Sequence, residues 1–565
     1  MASVQLQMNV FLEAITQHDP QSVAVEHSKS QRKFLYGSLL SDVAVTKEKL
    51  LRESGGQGLE GERVAFLLPN NYDYVVTLLA CLGSGAVAVP LSPAYPAVEL
   101  RYIISQSGAK LFVSSDKFAK LADETMAEGL ESKPTVIRHE AIEIHADARE
   151  IAWTPEDERG GMMLYTSGTT ARPKGVLLPT RALAAQAKSL IEAWKYSPKD
   201  RLLHILPLHH IHGTVNALLT PLLAGSTIEF QFPFNVDQVW HRLSEPFLPG
   251  GHRDPITFLT AVPTVWTRLL QRYPTLPPET QTAASTAINP KNLRLNISGS
   301  AALPTPTKTA WTNLTHGNVL LERYGMTEIG MALSCGLDNA TRIDGSVGWP
   351  LPGVEARLVD IETNTPILED NIPGEIHIRG PTVFKEYFRN ADATSSAFTS
   401  DGWFKTGDMA IRRPAQSPSG TDAWIKGSPY FILGRLSADI IKTGGEKVSA
   451  LEVERELLSL PEVAECAVVA LPSEAWGQKC AAVVVLNKGM EGWTALKMRR
   501  ALADRLAPYK IPQDLAVVEK IPRNAMGKVN KRSLVGEIFG DAGRIRRRSV
   551  LLAEERRERL KREGK

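Results

Sequence analysis

The sequence predicts an α/β protein with a large N-terminal domain and a small C-terminal lobe. Short apolar runs typical of strands alternate with helical patterns along most of the chain, which favours mostly parallel sheets flanked by helices. The chain has 565 residues, more than one ordinary domain holds. Its hydrophobic content of 43% and charged content of 22% are typical of a globular protein.

Six apolar runs are the predicted strands of the large domain. They are Arg63–Leu68, Lys110–Ser114, Leu202–Leu206, Thr227–Phe230, Ile256–Ala261 and Leu293–Ile297. The first precedes a helix that should begin after Asn70-Asn71, because asparagine is a good capping residue. The stretch Val75–Leu91 is interrupted by glycines and is predicted to be a buried helix leading into a strand. The Gly- and Pro-rich region Gly345–Gly380 predicts a β-rich subdomain.

A second and more compact pattern follows Gly434. It predicts a strand at Ile440–Lys442, a helix at Ala450–Ser459, strands at Ala464–Leu471 and Lys479–Leu486, and a helix near Thr494–Leu506. Such a pattern is typical of a small α+β lobe. The predicted domains are therefore residues 1–434, residues 435–540 and a charged tail of residues 541–565. Pro274–Pro290 and Arg413–Pro429 are predicted to be inserted loops.

The charge distribution argues against a nucleic-acid partner. The tail holds ten Lys or Arg against five Asp or Glu, a local charge of +5, so the formal net charge of +3 leaves the remainder at −2. The tail is predicted to be a solvated, salt-bridged helix. No window reaches the roughly 18 apolar residues of a membrane span, and the four cysteines are too dispersed for a zinc site or a disulfide framework.

The composition of the N-terminal segment is informative about the cellular compartment of the protein. Met1–Pro20 carries no Lys or Arg and contains Glu13 and Asp19, unlike an Arg-rich transit peptide. The sequence therefore predicts a cytoplasmic protein, with the mitochondrion as the open alternative. The oligomeric state is left open.

A run of hydroxyls, glycines and two cations extends from Tyr165 to Gly175. Small residues let backbone N–H groups approach an anion, Ser and Thr add donors, and Arg172 and Lys174 add charge. This pattern indicates a loop that holds polyphosphate. It is not the common P-loop, because Gly175 stands where that loop has a Ser or Thr.

Four further motifs follow in a fixed order. They are Tyr324-Gly325-Met326-Thr327-Glu328, Thr406-Gly407-Asp408, Gly434-Arg435 and Pro522-Arg523-Asn524-Ala525-Met526-Gly527-Lys528. Together with the phosphate loop they resemble the signatures of the adenylate-forming enzymes, which include acyl-CoA synthetases, luciferases and peptide-synthetase adenylation domains. The resemblance extends from about Gly61 to about Leu534. It implies a carboxylate activated by ATP as an acyl-adenylate and then transferred to a thiol, usually that of coenzyme A.

The resemblance also implies roles for individual residues of the N-terminal domain. The phosphates of ATP would be held by Thr166, Ser167, Gly168, Thr169, Thr170 and Lys174. Glu328 would coordinate Mg²⁺, a hard cation that prefers oxygen ligands. Thr327 would contact the α-phosphate and Tyr324 would pack on the adenine. The backbone of Gly299-Ser300-Ala301 would line the adenine and acyl sites.

Other implied roles fall later in the chain. Asp408 would accept both ribose hydroxyls, and Arg435 would assist at the ribose and phosphate. Lys528 would be the catalytic cation that bridges the attacking carboxylate and the α-phosphate, which requires a mobile C-terminal lobe that closes for this step. Gly444 and Gly445 would admit the pantetheine arm of coenzyme A. The family commonly has Asp or Lys where Ser437 stands, so the hinge residue stays open.

The identity of the acid depends on Arg323. A guanidinium next to the adenine-packing Tyr324 should point toward the acyl pocket, and burying an unpaired cation is costly, so the acid itself should bring the counter-charge. The segments Leu320–Glu328 and Pro207–Gly213 are similar to malonyl-CoA synthetases. This similarity implies malonate as the substrate, with Arg323, His210 and Ser298 in the pocket.

Several alternatives remain open at this stage. Arg323 could be solvent-exposed or paired with Glu322, and the three histidines His209, His210 and His212 could be packing residues or, less in keeping with their neighbours, metal ligands. The acid could be methylmalonate or another short acid, and the acceptor could be a carrier-protein thiol. An adenylate-binding regulator without catalysis is the alternative from another class.

Overall fold

The computed structural model describes residues 4–127, 129–142, 151–155, 158–166, 172–415, 422–473, 475–490, 492–523 and 529–540. Its chain divides into two compact units. The first comprises residues up to Leu303, Thr307–Thr406 and Ile411–Phe431, and the second comprises Pro304–Pro306, Gly407–Ala410 and the chain from Ile432 onward. Among the helices of these ranges, none combines the length and the apolar content needed to cross a bilayer.

The first unit contains a seven-stranded sheet with a parallel centre. In spatial order its strands are Glu386–Tyr387, Lys174–Pro179, Gly161–Thr166, Val87–Pro90, Arg63–Leu67, Leu111–Ser115 and Thr135–His139. The last five run parallel, whereas Lys174–Pro179 is antiparallel to both of its neighbours. The antiparallel edge is therefore where the predicted phosphate loop begins and ends.

A nine-stranded sheet forms the other half of this unit. Its strands in order are Trp349–Pro350, Gly330–Ser334, Leu321–Met326, Leu295–Ser298, Phe258–Ala261, Arg201–His204, Thr227–Phe230, Val23–His27 and Lys33–Leu35. The strands from Leu321–Met326 to Val23–His27 are parallel. The prediction of mostly parallel sheets is confirmed, and each of the six predicted strands occurs within two residues of its expected start.

Helices cover these sheets. Those described in the first unit are Val10–Gln17, Tyr36–Glu53, Tyr72–Leu82, Ala97–Ser107, Ala119–Met126, Thr180–Trp194, Thr220–Leu223, Val236–Ser244, Pro263–Arg272, Pro278–Ile288, Thr305–Leu314 and Ala391–Ala397, with a π-helix at His212–Leu219. The helix Tyr72–Leu82 begins as predicted, because the side chain of Asn71 accepts a hydrogen bond from the N–H of Tyr74. It is buried along its whole length and leads into the strand Val87–Pro90.

The prediction that Pro274–Pro290 is a loop is wrong. Pro278–Ile288 is a helix, and its prolines occupy the cap and the first helical position, where a missing N–H costs nothing. Ala284, Ala287 and Ile288 are buried in the apolar cluster that also contains Trp240, Trp266 and Trp311. Packing of this apolar face outweighs the Pro- and Thr-rich composition from which the loop was predicted.

The region predicted to be β-rich contains antiparallel strands. Glu355–Val359 pairs with Pro366–Ile367 and with Gly374–Arg379. The described parts of Arg413–Pro429, namely 413–415 and 422–429, form no helix or strand.

The described residues of the second unit contain a five-stranded sheet and three α-helices. The strands are Glu446–Ser449, Ile440–Thr443, Gly477–Leu486, Val463–Ser473 and Asp514–Val517, and the helices are Ala450–Leu458, Ala495–Leu502 and Lys531–Phe539. Glu446–Ser449, Asp514–Val517 and Lys531–Phe539 were not predicted. The α+β composition expected of the C-terminal lobe is present in this unit, whereas residues 541–565 lie outside the described residues.

A buried charge cluster joins strands of the nine-stranded sheet to the helix Val236–Ser244. Glu229 is 0% exposed and accepts two hydrogen bonds from Arg242, at 2.6 and 2.9 Å. Arg253 donates to Glu229 at 2.7 Å and to Glu26 at 2.6 Å, and Arg201 donates to Glu26 at 2.7 Å. Burial would raise the pKa of Glu229, but the contacts with Arg242 and Arg253 outweigh it and lower the pKa.

Replacing Glu229 by glutamine is expected to destabilise the protein by about 3–5 kcal/mol, because the buried guanidinium groups of Arg242 and Arg253 lose a counter-charge. A folded pKa below the unfolded value of about 4.3 means that this contribution is present above that pH and is lost as the pH falls through the folded pKa. Between neutral pH and about pH 3, the melting temperature of the wild type should therefore fall more steeply than that of Glu229→Gln.

The matched control is Glu355→Gln. Glu355 pairs with Arg379 at 2.7 Å, but its side chain is 56% exposed, so solvent screens the pair. Its melting temperature at neutral pH should stay close to that of the wild type. An equally small change for Glu229→Gln would contradict a stabilising role of the cluster.

Candidate active site

The phosphate motif begins and ends on an antiparallel hairpin. Gly161–Thr166 pairs with Lys174–Pro179, and Thr166 lies directly opposite Lys174. Ser167, Gly168, Thr169 and Thr170 lie outside the described residues, so their contacts with phosphate stay a prediction. Gly175 packs closely, since a Cβ there would lie 2.7 Å from the sulfur of Met163 and would force that side chain to move.

Lys174 is joined to Glu328 through a tyrosine that the sequence did not indicate. The Lys174 ammonium lies 4.3 Å from the centre of the Tyr387 ring, and the Tyr387 hydroxyl donates to Glu328 Oε1 at 2.9 Å. Tyr387 is 7% exposed. The structure thus brings together two predicted ATP-binding residues that are more than 150 positions apart in the sequence.

Thr327 and Glu328 occupy the tight turn between the strands Leu321–Met326 and Gly330–Ser334. Gly330 has a φ of +65°, and a Cβ on Gly325 would lie 2.0 Å from the carbonyl oxygen of Gly330. Two glycines are therefore needed for the strands to approach this closely. The turn presents both predicted residues at the end of a parallel strand, the usual position of ligand sites in open α/β sheets.

Gln186 supports this turn from the helix Thr180–Trp194. Its side-chain amide accepts from the Met331 N–H at 2.6 Å and donates to the Met331 carbonyl at 3.2 Å. The ladder with Trp349–Pro350 pairs Leu333 and Ser334 and does not extend to Met331. The Gln186 amide therefore replaces a strand partner beside the Thr327–Glu328 turn.

Arg323 is buried, with 4% of its surface exposed. Successive side chains of a strand point to opposite faces, which separates Arg323 from Glu322. The Glu322 carboxylate instead accepts from Lys308 at 2.8 Å. Neither alternative for Arg323, exposure to bulk solvent or an ion pair with Glu322, is found.

The guanidinium of Arg323 lies against the Gly299-Ser300 backbone. A Cβ on Gly299 would be 2.5 Å from Arg323 Nε, so a larger residue there would displace the guanidinium from this position. Arg323 Nη2 donates to Ser300 Oγ at 3.3 Å, whereas Nε has no hydrogen-bond partner among the described residues. Burial lowers the pKa of Arg323 to about 9, and the group is still a cation at neutral pH.

His212, which was not among the predicted pocket residues, faces Ser300, and the pocket role of His210 stays a prediction. His212 Nδ1 lies 3.4 Å from Ser300 Oγ, and Nε2 forms a 2.6 Å hydrogen bond with Thr260. Burial, and secondly the charge of Arg323, lowers the pKa of His212 well below its ordinary value, so this imidazole is neutral. The ring of His210 is half-buried and lies 4.1 Å from that of His209. The sequence offered no signal to choose between His210 and His212, because both flank Ile211.

Ser298 ends the parallel strand Leu295–Ser298 and is 1% exposed. Its Oγ has no hydrogen-bond partner within the described ranges. Ser300 and Ala301 follow it at the surface, and Ser300 has a left-handed φ of +68°, which is uncommon for a residue with a side chain. Tyr324 is half-buried on the same strand as Arg323. These residues form the rim and floor of one polar site at the carboxyl ends of the parallel strands.

The second unit contains the predicted ribose pair. Arg435 Nε donates to Asp408 Oδ1 at 2.9 Å, and the Arg435 N–H donates to Asp439 at 3.0 Å. Asp439 also accepts from Lys531 at 2.5 Å, which ties the segment after the predicted boundary to the last described helix.

Gly444 and Gly445 have a structural reason to be glycine. They form the two-residue turn between Ile440–Thr443 and Glu446–Ser449, with φ values of +57° and +87°. A turn with two positive φ angles is the favoured hairpin connection and strongly prefers glycine. Their contact with coenzyme A stays a prediction. Lys528 lies outside the described residues, so its catalytic role also stays a prediction.

Two family models match this chain and show the protein family to which it belongs. The model of the AMP-binding enzyme matches residues 14–388, and that of the AMP-binding enzyme C-terminal domain matches residues 452–528. The chain belongs to the AMP-binding enzyme family. The resemblance to adenylate-forming enzymes that the motifs indicated is therefore confirmed.

Individual AMP-binding enzymes cover nearly the whole chain. A CoA ligase of Gibberella moniliformis (strain M3125 / FGSC 7600) is 55% identical, over 98% of this chain and 98% of its own. The human mitochondrial malonate–CoA ligase ACSF3 is 39% identical, over 93% of this chain and 91% of its own. The crystal structure of ATP-bound MatB from Rhodopseudomonas palustris is similar with a TM-score of 0.78 and 32% identity, over 95% of this chain and all of that chain.

The AMP-binding site suits a Mg²⁺ ion that arrives with the nucleotide. Within the described ranges no group of three or more His, Cys, Asp or Glu side chains could hold a metal ion by itself. Mg²⁺ commonly binds through one or two carboxylates plus phosphates and water. Glu328, a single carboxylate oriented by Tyr387, fits that requirement.

Proposed function

We propose that this protein ligates malonate to coenzyme A at the expense of ATP, through malonyl-adenylate, with release of AMP and pyrophosphate. The observation that carries the proposal is the buried Arg323 guanidinium, which has one weak hydrogen bond and an unsatisfied Nε among the described residues. A dicarboxylate supplies the missing counter-charge at one end and reacts at the other.

The energetics favour an acid with two negative groups. Breaking a buried ion pair typically costs about 3–5 kcal/mol, which at about 1.4 kcal/mol per decade exceeds a hundredfold in rate or affinity. The neutral His212 adds no second positive charge, and Ser300 contributes a hydroxyl. The site therefore binds one carboxylate as a charge-assisted pair and discriminates against acetate and propionate.

The reaction has two chemical steps. In the first, a malonate carboxylate oxygen attacks the α-phosphorus of ATP and pyrophosphate leaves. In the second, the sulfur of coenzyme A attacks the acyl carbon, its proton is lost to solvent, and AMP leaves. Little bond-making falls to protein groups, so catalysis consists of positioning and charge stabilisation.

The predicted phosphate-binding, metal-binding and catalytic residues have a place in these steps. Lys174 would hold the departing phosphates together with the Thr166–Thr170 loop, Thr327 would contact the α-phosphate, and Glu328 would hold the Mg²⁺. Lys528 offsets the charge that develops between the carboxylate and the α-phosphate. The bound metal supplies further neutralisation of phosphate charge.

The relatives support this choice of acid. The human relative is named a malonate–CoA ligase, and the MatB structure holds ATP. Another similar structure, at 31% identity and a TM-score of 0.59, is a malonyl-CoA ligase with methylmalonyl-CoA and AMP bound. Methylmalonate is therefore the alternative acid that a test must include.

The test is acid-dependent pyrophosphate release measured with and without coenzyme A. The panel should include malonate, methylmalonate, succinate, acetate, propionate and malonamate, the monoamide of malonic acid, which keeps one carboxylate and lacks the second negative charge. Malonate should exceed the monocarboxylates in kcat/KM by at least about a hundredfold, and multiple turnover should require the thiol. Release with no acid in the panel would contradict the proposal and favour a non-catalytic adenylate-binding protein.

Cytoplasm remains the proposed location, with the mitochondrion as the alternative because the human relative is named mitochondrial. Imaging of a C-terminal fluorescent fusion with a mitochondrial marker distinguishes the two.

A further inference from the structure

Tyr387 stands between the two charged groups that the proposed function assigns to ATP. Its ring faces the Lys174 ammonium at 4.3 Å, and its hydroxyl donates to Glu328 Oε1 at 2.9 Å. The side chain of Tyr387 is 7% exposed, whereas Lys174 and Glu328 are half-buried. One tyrosine thus has two separable polar contacts, one with a cation and one with an anion.

The backbone around Tyr387 joins the same two elements. The Phe384 N–H donates to the Glu328 carbonyl at 2.8 Å, and the Phe388 N–H donates to the Gly175 carbonyl at 2.8 Å. The short strand Glu386–Tyr387 pairs with the strand that begins at Lys174. The position of Tyr387 relative to both partners is therefore fixed by hydrogen bonds on either side of it.

The contact with Lys174 restricts a flexible side chain. A lysine has four rotatable bonds, and holding its ammonium over an aromatic face removes much of that freedom before ATP binds. The contact with Glu328 fixes one carboxylate oxygen as an acceptor. Hydrogen bonds of this kind orient a metal-binding carboxylate, and their loss typically costs about 10–100-fold in metal affinity or activity.

We propose that Tyr387 is a positioning residue for the ATP site, whose hydroxyl orients Glu328 toward the Mg²⁺ of the nucleotide and whose ring holds Lys174 toward the phosphates. This inference rests on the proposed function for the identity of the nucleotide, but not for the identity of the acid. Tyr387 touches neither reacting atom and acts through its two neighbours.

Two substitutions separate the two contacts. Tyr387→Phe removes the hydroxyl and keeps the ring, and Tyr387→Leu removes both. Binding of a fluorescent ATP analogue is measured by titration in EDTA and then at increasing Mg²⁺, without any acid. Tyr430→Phe is the matched control, because Tyr430 is also buried in the first unit and its hydroxyl donates to a backbone carbonyl, that of Ala356, at 3.2 Å.

Tyr387→Phe should raise the Mg²⁺ concentration needed for half-maximal enhancement of binding by about 10–100-fold, with ATP binding in EDTA unchanged. Tyr387→Leu should in addition weaken binding in EDTA by about twofold to thirtyfold, the range of a cation–π contact. Tyr430→Phe should change neither quantity. The ring-preserving variant keeps the test valid if the leucine variant does not fold.

A wild-type Mg²⁺ dependence in Tyr387→Phe would overturn the role of the hydroxyl. Equal binding in EDTA by Tyr387→Leu and Tyr387→Phe would overturn the role of the ring. Because these titrations contain no acid, they stay informative if malonate is the wrong substrate, and the pyrophosphate panel alone decides that question.

Discussion

Arg323→Leu is expected to lower kcat/KM for malonate by more than about a hundredfold, while kcat/KM for propionate changes much less. The guanidinium is 4% exposed and lies against Gly299 and Ser300, so the variant removes a buried cation that only a second carboxylate neutralises. Steady-state pyrophosphate release with both acids measures the effect. The ratio of kcat/KM for malonate to kcat/KM for propionate, rather than either value alone, measures the contribution of the ion pair between Arg323 and the second carboxylate.

Arg342→Leu is the matched control. Arg342 is also a buried arginine, 6% exposed, but its guanidinium donates to the backbone carbonyls of Gly336 and Leu337 at 3.3 and 2.7 Å. Its loss should reduce stability without altering the ratio of malonate to propionate activity. Equal losses on both acids in Arg323→Leu would show that Arg323 is a structural residue like Arg342.

Lys528→Met is expected to lower the rate of malonyl-adenylate formation by about 10²–10³-fold, the usual cost of one preorganised charge at a developing anion. The second step, measured with supplied malonyl-adenylate and coenzyme A, should be much less affected, because Lys528 is assigned to the first transition state. Rapid-quench detection of the adenylate separates the two steps.

Lys520→Met controls for the loss of a nearby lysine. Lys520 is exposed in the segment that precedes the Lys528 motif. It should show both steps at wild-type rates. A uniform slowing of both steps by Lys528→Met would contradict its assignment to adenylate formation and indicate a general structural role.

Local sequence signals predicted the central strands of both large sheets and the helix Tyr72–Leu82. The strands were visible because parallel strands buried on both faces read as continuous apolar runs, and Asn71 marked a helix start through its capping chemistry. The helix Pro278–Ile288 was missed because its signal, alanines packed on a tryptophan cluster, comes from distant parts of the chain. The strands Glu446–Ser449 and Asp514–Val517 were missed because four residues carry too little pattern.

The site was predictable to the extent that its residues fall in linear motifs. Arg323, Thr327 and Glu328 were indicated by one motif, and the structure shows the burial of Arg323 that the argument for a dicarboxylate required. The roles of Tyr387 and Gln186 could not be predicted, because their partners lie far away in the sequence and neither residue falls in a local motif. His212 was missed for a related reason, since its contact with Ser300 depends on how the π-helix His212–Leu219 begins, and the pocket role of His210 stays a prediction.

The most direct test of the central claim is the binding of two non-hydrolysable acyl-adenylate analogues, the malonyl and malonamyl sulfamoyl adenosines, to the wild type and to Arg323→Leu. The two ligands have nearly the same shape and differ by one negative charge. The wild type should bind the malonyl analogue at least about a hundredfold more tightly, and Arg323→Leu should bind both with similar affinity. An undiminished preference for the malonyl analogue in Arg323→Leu would show that another group recognises the second carboxylate.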